Sequence, residues 1–186
     1  MTPTTYVCLL RGINVAGGRK IKMTDLTDLF VALGHTDVST YIQSGNVVFR
    51  AAVVADSAAA GYLAARIEAG IASDLGLAVS VILRTGPDLV KVVEANPFIG
   101  TGAEVAKLHV TFLADAPDQA RVAQVDPSGF EPDRFAVVGR EVYLHCPTGY
   151  GRTKLNNAFW ERRLRVPATT RNWNTVTTLV RMAGGA

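Results

Sequence analysis

Tyr6-Val7-Cys8-Leu9-Leu10 runs directly into Arg11-Gly12-Ile13-Asn14-Val15-Ala16-Gly17-Gly18-Arg19-Lys20-Ile21-Lys22-Met23. The first five residues are apolar or aromatic and predict a buried strand. The connection after them holds three glycines and four cations, and no acid. Glycine admits torsions closed to other residues and lets a ligand approach the main chain. Arg11, Arg19, Lys20 and Lys22 make the loop positive, so a cationic, amide-rich turn from strand to helix becomes a candidate anion site. The plainer reading is a tight connection with solvated cations, and both stay open at this point.

Downstream, Leu26, Leu29, Phe30 and Leu33 recur at helical spacing, with Thr24 expected as the N-cap and Gly34 as the stop. Residues 38–43 and 47–50 predict two short strands around Ser44-Gly45-Asn46, where Gly and Asn suit the positive φ of a tight turn. Gln43-Ser44-Gly45-Asn46 therefore reads first as a turn. A helix is expected over 57–75, carrying Leu63, Ile67, Ile71 and Leu75 on one stripe and ending at Gly76. A β-branched strand follows over 77–84. The order β-α-β-β-α-β is the split βαβ arrangement of ferredoxin-like domains.

A short helix over 87–95 leads to Asn96-Pro97-Phe98-Ile99-Gly100-Thr101-Gly102, whose proline and glycines mark a boundary. Strands are expected over 107–114, 134–138 and 141–146, and helices over 117–124, 153–165 and 170–182. Residues 126–133 form a loop with two prolines. The reading is an α+β chain of two tandem ferredoxin-like-related subdomains, βαββαβ and then βαββα plus a C-terminal helix. The expected limits are 1–96, a linker at 97–106, and 107–186. The hairpin 38–50 carries apolar groups on both faces, which predicts that both faces of its sheet are covered.

At 186 residues, 48% hydrophobic and 19% charged, the chain can bury a sizeable core. Its apolar runs are far shorter than the ~20 residues a membrane helix needs. No signal peptide is visible in Met1-Thr2-Pro3-Thr4-Thr5, and Cys8 and Cys146 lie in separate strands. A reduced, cytoplasmic protein is expected. The net charge of +3 is unevenly spread: 11–22 has four cations and no acid, 150–186 has seven cations against Glu161, and 23–149 has eight cations and fifteen acids. Clustered cations point to an anionic partner, or to a solvated basic face.

Arg11-Gly12-Ile13-Asn14-Val15 with Gly17-Gly18, Lys22-Met23 opening a helix, and Thr40-Tyr41-Ile42-Gln43-Ser44-Gly45-Asn46-Val47-Val48-Phe49 closely resemble the bacterial family DUF1697. Gly149-Tyr150-Gly151-Arg152-Thr153-Lys154-Leu155 and Thr169-Thr170-Arg171-Asn172-Trp173-Asn174-Thr175-Val176 resemble its C-terminal signatures. Ala16 stands where a glycine or serine is common, with no expected consequence. The resemblance implies two related α+β subdomains in a soluble protein, and supplies neither a reaction nor catalytic residues.

No P-loop or dinucleotide fingerprint is present in the loop, where the candidates are Arg11, Gly12, Asn14, Gly17, Gly18, Arg19, Lys20 and Lys22. Asn14 is suited to hydrogen-bond either the loop itself or a ligand. In the tail, Arg152 and Lys154 precede one helix, and Arg171, Asn172 and Asn174 open another, where free amides and the dipole favour an anion. Trp173 shares a stripe with Val176, Leu179, Val180 and Ala183, so a core role competes with a stacking role. His35, His109 and His145 are scattered, no zinc spacing occurs, and neither a nucleophile motif nor a cofactor is implied. The leading function is a non-catalytic polyanion-binding protein, with single-stranded nucleic acid as the ligand. The alternatives are an enzyme or sensor for a small phosphorylated metabolite or nucleotide, and a partner-binding module, including a homodimer.

Overall fold

A run of five buried side chains leaves a strand no polar face, so its main chain must be paired on both sides. The computed structural model describes residues 3–14, 20–52 and 57–184. In it, β1 (Thr4–Leu10) is flanked by β3 (Asn46–Ala51) and β4 (Val81–Thr85), both antiparallel. With β2 (Thr36–Tyr41) outside β3, the sheet order is β2-β3-β1-β4. Tyr6, Cys8, Leu10, Val47 and Phe49 face the core built with α1 (Met23–Ala32) and α2 (Ser57–Leu75), whose Leu26, Leu29, Phe30, Leu63, Ile67 and Ile71 fill it. Val7, Leu9, Val48 and Ile82 alternate with these and are buried too, so this sheet is covered on both faces.

The second sheet repeats the topology. β5 (Leu108–Leu113) lies between β7 (Glu141–His145) and β8 (Ala168–Asn172), with β6 (Arg134–Val138) outside β7, giving β6-β7-β5-β8. α4 (Gln119–Ala123) and α5 (Asn157–Leu164) belong to this half, with Phe159, Trp160 and Leu164 of α5 packing on Leu113, Val142 and Leu144. Each sheet is followed by a helix, α3 (Gly86–Glu94) and α6 (Trp173–Met182). The fold is mixed α/β with two tandem ferredoxin-like-related halves. By packing, the chain divides into 1–89 with 179–186, and 90–178. No helix of the described residues is long and apolar enough to cross a membrane.

The same local devices recur in both halves. Glu68 Oε1 accepts from Val81 N (2.9 Å) at the start of β4, and Glu161 Oε1 accepts from Ala168 N (2.9 Å) at the start of β8. Arg84 pairs with Val7 of the central strand, and Arg171 with Val110. The next residue caps the trailing helix in each case. Thr85 and Asp88 bond reciprocally, while Asn172 Oδ1 accepts from Thr175 N at 2.8 Å.

Several expected boundaries change. The Thr24 cap does not form: Lys22 occupies the cap position without a side-chain bond, and Thr24 Oγ1 donates to Asp25 Oδ1 at 3.3 Å. In the hairpin turn, Ile42 and Gly45 take positive φ (49° and 75°), whereas Asn46 is already in β3. Its amide instead closes the turn, donating to Tyr41 O and Ser44 Oγ, each at 2.9 Å. β4 starts at Val81 rather than 77, because its partner ends where Leu10 meets Val81. The helix expected over 153–165 begins only at Asn157, capped by Asn156. The helix expected from 170 begins at Trp173, because 168–172 is consumed as the strand that completes the second βαββαβ. Polar Thr-Thr-Arg-Asn hides that strand from any hydrophobic pattern.

A Cβ on Gly45 would lie 2.7 Å from Ile13 Cδ1 and 2.8 Å from Leu10 Cβ, at a φ of +75°. Gly45→Ala is expected to cost roughly 2–4 kcal/mol from left-handed strain plus overpacking, read by urea denaturation. His35 is 7% exposed, packs on Phe30 and Phe49, and leaves Nε2 without a partner. Burial, with Arg66 adding to it, holds its pKa below the ordinary 6.5. The unfolded chain therefore takes up the proton first, and stability should be full above pH 6.5 and fall below it. The slope from one such group is at most about 1.4 kcal/mol per pH unit, and His35→Leu should flatten the fall that sets in below pH 6.5.

Candidate functional site

Because β1 runs antiparallel to both neighbours, its exit, the β2–β3 turn and the entry to β4 lie at one end of the first sheet. Leu10 N donates to Gly45 O (2.8 Å), and Arg11 N to Ser80 O (2.9 Å). Asn14, at φ 53°, ties this end together. Its Nδ2 donates to Ile21 O (2.9 Å) and Gln43 O (2.8 Å), and its Oδ1 accepts from Ile21 N (2.9 Å). Of the two roles open to Asn14, the amide serves the loop. The turn at 43–46 is bound to this loop.

Gly12 takes φ 65° with nothing near its missing Cβ, so torsion rather than crowding sets its identity. Arg11 is half-buried, and Lys20 and Lys22 are exposed. Gly17, Gly18 and Arg19 lie outside the described residues. In the tail, Arg171 is a strand residue, 7% exposed, whose Nη1 donates to Thr169 Oγ1 (2.8 Å) and Thr170 O (2.9 Å). Asn172 caps α6, and Trp173 is 5% exposed, on one buried stripe with Val176, Leu179 and Val180. Asn174 is exposed and its carbonyl accepts from Thr177 Oγ1 at 3.1 Å. Thus Trp173 presents no face for stacking.

Arg152 and Lys154 share a concave surface. The segment around them is a 3-10 turn (Tyr150–Arg152) followed by extended chain. Alternation buries Thr153 and Leu155 and turns Arg152 and Lys154 outward. The inward pair is fixed: Thr153 Oγ1 accepts from Leu155 N (3.1 Å), and Leu155 O accepts from Trp160 Nε1 (3.1 Å). Neither cation stands at a helix N-terminus, since α5 starts beyond both. Instead they line a cleft of about 140 Å³ with Thr148, Phe130 and two carboxylates, Glu131 and Asp133.

Asp133 is only 8% exposed, and its Oδ1 has no hydrogen-bond partner. Its main chain is fixed, with Asp133 N donating to Phe130 O at 2.9 Å. Behind it the Cys146 thiol is pushed up to about 11 by burial first and by Asp133 second, while a bond with Thr153 opposes the shift. Cys146 is therefore a protonated core thiol at neutral pH. His145 is held below its ordinary value by burial and by Arg134, against the opposing pull of Asp133 and Glu104. Arg134 Nη2 lies 3.1 Å from His145 Nδ1, and its guanidinium sits 5.3 Å from the Phe98 ring centre. No group of three or more His, Cys, Asp or Glu among the described residues is arranged to hold a metal.

Sequence reading names Arg152 and Lys154 but misses Asp133, Phe130 and Thr148. The available signal was the two-proline loop at 126–133, which brings Phe130 and Asp133 to the cleft wall. That loop contains a 3-10 turn (Pro127–Phe130) and a cis Glu131–Pro132 bond.

A family model described as "Protein of unknown function (DUF1697)" matches residues 3–143. Among solved structures, the conserved bacterial protein SP0830 from Streptococcus pneumoniae is similar, with a TM-score of 0.76 and 22% identity over 98% of this chain and 99% of that one. At that identity the likeness concerns the fold alone. No curated protein matches.

Asn14→Asp tests the loop-tie role. The aspartate keeps an acceptor for Ile21 N but loses both donors and sets a carboxylate against two carbonyls. A loss of roughly 1–3 kcal/mol is expected in denaturant titration. Unchanged stability would return Asn14 to the ligand-binding candidates.

Proposed function

The chain belongs to the DUF1697 family, and we propose that it is a binding protein for a small phosphorylated metabolite, held in the second unit by Arg152 and Lys154. The observation that carries this reading is the pair of outward cations on a braced segment, both lining one cleft. Arg offers a planar fork for phosphate oxygens and Lys a movable point charge. A cleft of about 140 Å³ suits a compact ligand, since pockets for drug-sized molecules begin at about 300 Å³. A single-stranded nucleic acid is the second reading. It is favoured by the exposed Lys20 and Lys22 in the first unit, but burial of Trp173 takes away the aromatic surface on which a base would stack.

Thermal-shift titration of the full chain separates the two. Inorganic phosphate, pyrophosphate and small phosphate monoesters should raise the midpoint, with about 2.7 kcal/mol of added stability at ~100 times the dissociation constant. Arg152→Ala and Lys154→Ala should each weaken that binding about tenfold, the loss of one charge-assisted bond. A response to mixed oligonucleotides alone, with log K falling by ~0.7 per phosphate in log salt, would replace this reading with the strand-binding one.

A further inference from the structure

The cleft of the second unit sorts its accessible charges by segment. The 129–133 loop brings Phe130 and the exposed carboxylate of Glu131, and the 148–154 segment brings Thr148 and the exposed cations Arg152 and Lys154. Among the described residues, no hydrogen bond or ion pair joins Glu131 to either cation. Charges of both signs therefore border one small space without neutralising each other. Asp133 belongs to the same loop but is buried, with Oδ1 closed to solvent, and makes no contact with a ligand. A border of this kind discriminates between anions. A ligand that is negative throughout is drawn by Arg152 and Lys154 and repelled by Glu131. One that carries a positive group beside its phosphate is drawn by both segments. Phe130 favours the second kind, since the face of an aromatic ring attracts a cation, quaternary ammonium included. Its ring is braced by Phe135 and Phe159, which meet it edge-on with centroids 6.2 and 5.0 Å away.

Resting on the anion reading of this cleft, we infer that its ligand is a phosphorylated amine, a zwitterion whose phosphate and ammonium are joined by a short chain. Arg152 and Lys154 take the phosphate, and Glu131 with Phe130 takes the ammonium. Glu131 recognises positive charge and needs no hydrogen-bond donor, so a trimethylated ammonium serves as well as a primary one. The same pair of groups occurs in a free ester and in a lipid headgroup, and the experiment separates the two sources.

The experiment is isothermal titration of the full chain with propyl phosphate, glycerol 3-phosphate, phosphoethanolamine and phosphocholine. Net charge alone would rank the first two ahead, because each is more negative than the zwitterions. The expected order is the reverse. Phosphoethanolamine and phosphocholine should each bind about fivefold or more tighter than propyl phosphate, with glycerol 3-phosphate within roughly twofold of it. In Glu131→Gln the zwitterion advantage should fall to roughly twofold or less, with propyl phosphate bound at least as tightly as by the wild type. Glu131 is exposed, so ligand-free Glu131→Gln should melt with the wild type. Vesicles of phosphatidylcholine then assign the source: Glu131-dependent co-sedimentation points to a headgroup, and its absence to a free ester. Phosphocholine bound no tighter than propyl phosphate, glycerol 3-phosphate bound as tightly as the zwitterions, or an advantage kept in Glu131→Gln overturns the inference. If propyl phosphate still binds in an Arg152-dependent manner in that case, the anion reading stands alone. If neither these probes nor inorganic phosphate binds, both fall.

Discussion

Each half of the molecule depends on a central strand buried on both faces. In β1 and β5 no side of the chain can turn its peptide groups to water, so every one must be met by a neighbouring strand. That requirement places β3 and β4 beside β1, and β7 and β8 beside β5, all antiparallel. The ends of the sheets are then decided as well. The exit from β1 falls beside the β2–β3 turn and the start of β4, which is why one amide, Asn14, can tie loop and turn with three hydrogen bonds.

On that scaffold the two halves share their braces and differ in their loops. A glutamate from the second helix holds the start of the last strand in both, an arginine lies one residue before each trailing helix cap, and the cap itself is a polar side chain. Buried arginines such as Arg84, 2% exposed, are tolerable where carbonyls and hydroxyls meet the guanidinium, as Leu83 O meets this one at 2.9 Å. The chemistry is not repeated. The first half carries a glycine-rich cationic loop, and the second a cleft with charges of both signs. Repetition of the frame with divergence of the loops is the usual way one fold carries different sites.

The tail shows how burial reassigns residues that look functional in one dimension. Arg171, Asn172 and Trp173 each serve the fold, as a strand position, a helix cap and a core ring respectively. Arg152 and Lys154 share no such structural role, and alternation about Thr153 and Leu155 pushes both to the surface. Asp133 is the opposite case, a buried charge whose Oδ1 finds no donor inside the fold.

Much of the frame was readable in one dimension. An unbroken apolar run marked β1, the 3.6-residue stripe of Leu63, Ile67 and Ile71 marked α2, and apolar groups on both sides of the hairpin foretold a sheet covered twice. Those signals are local, because periodicity records which sides of an element avoid water. What only the tertiary structure decided is pairing and proximity. Thr169 to Asn172 became a strand because β5 offered an open edge, although the polar sequence pointed to a helix start. Asp133 met Arg152 and Lys154 because a loop and a turn, some twenty residues apart, fold against one wall. Contacts of that kind depend on where the chain returns in space, and no spacing along it encodes them.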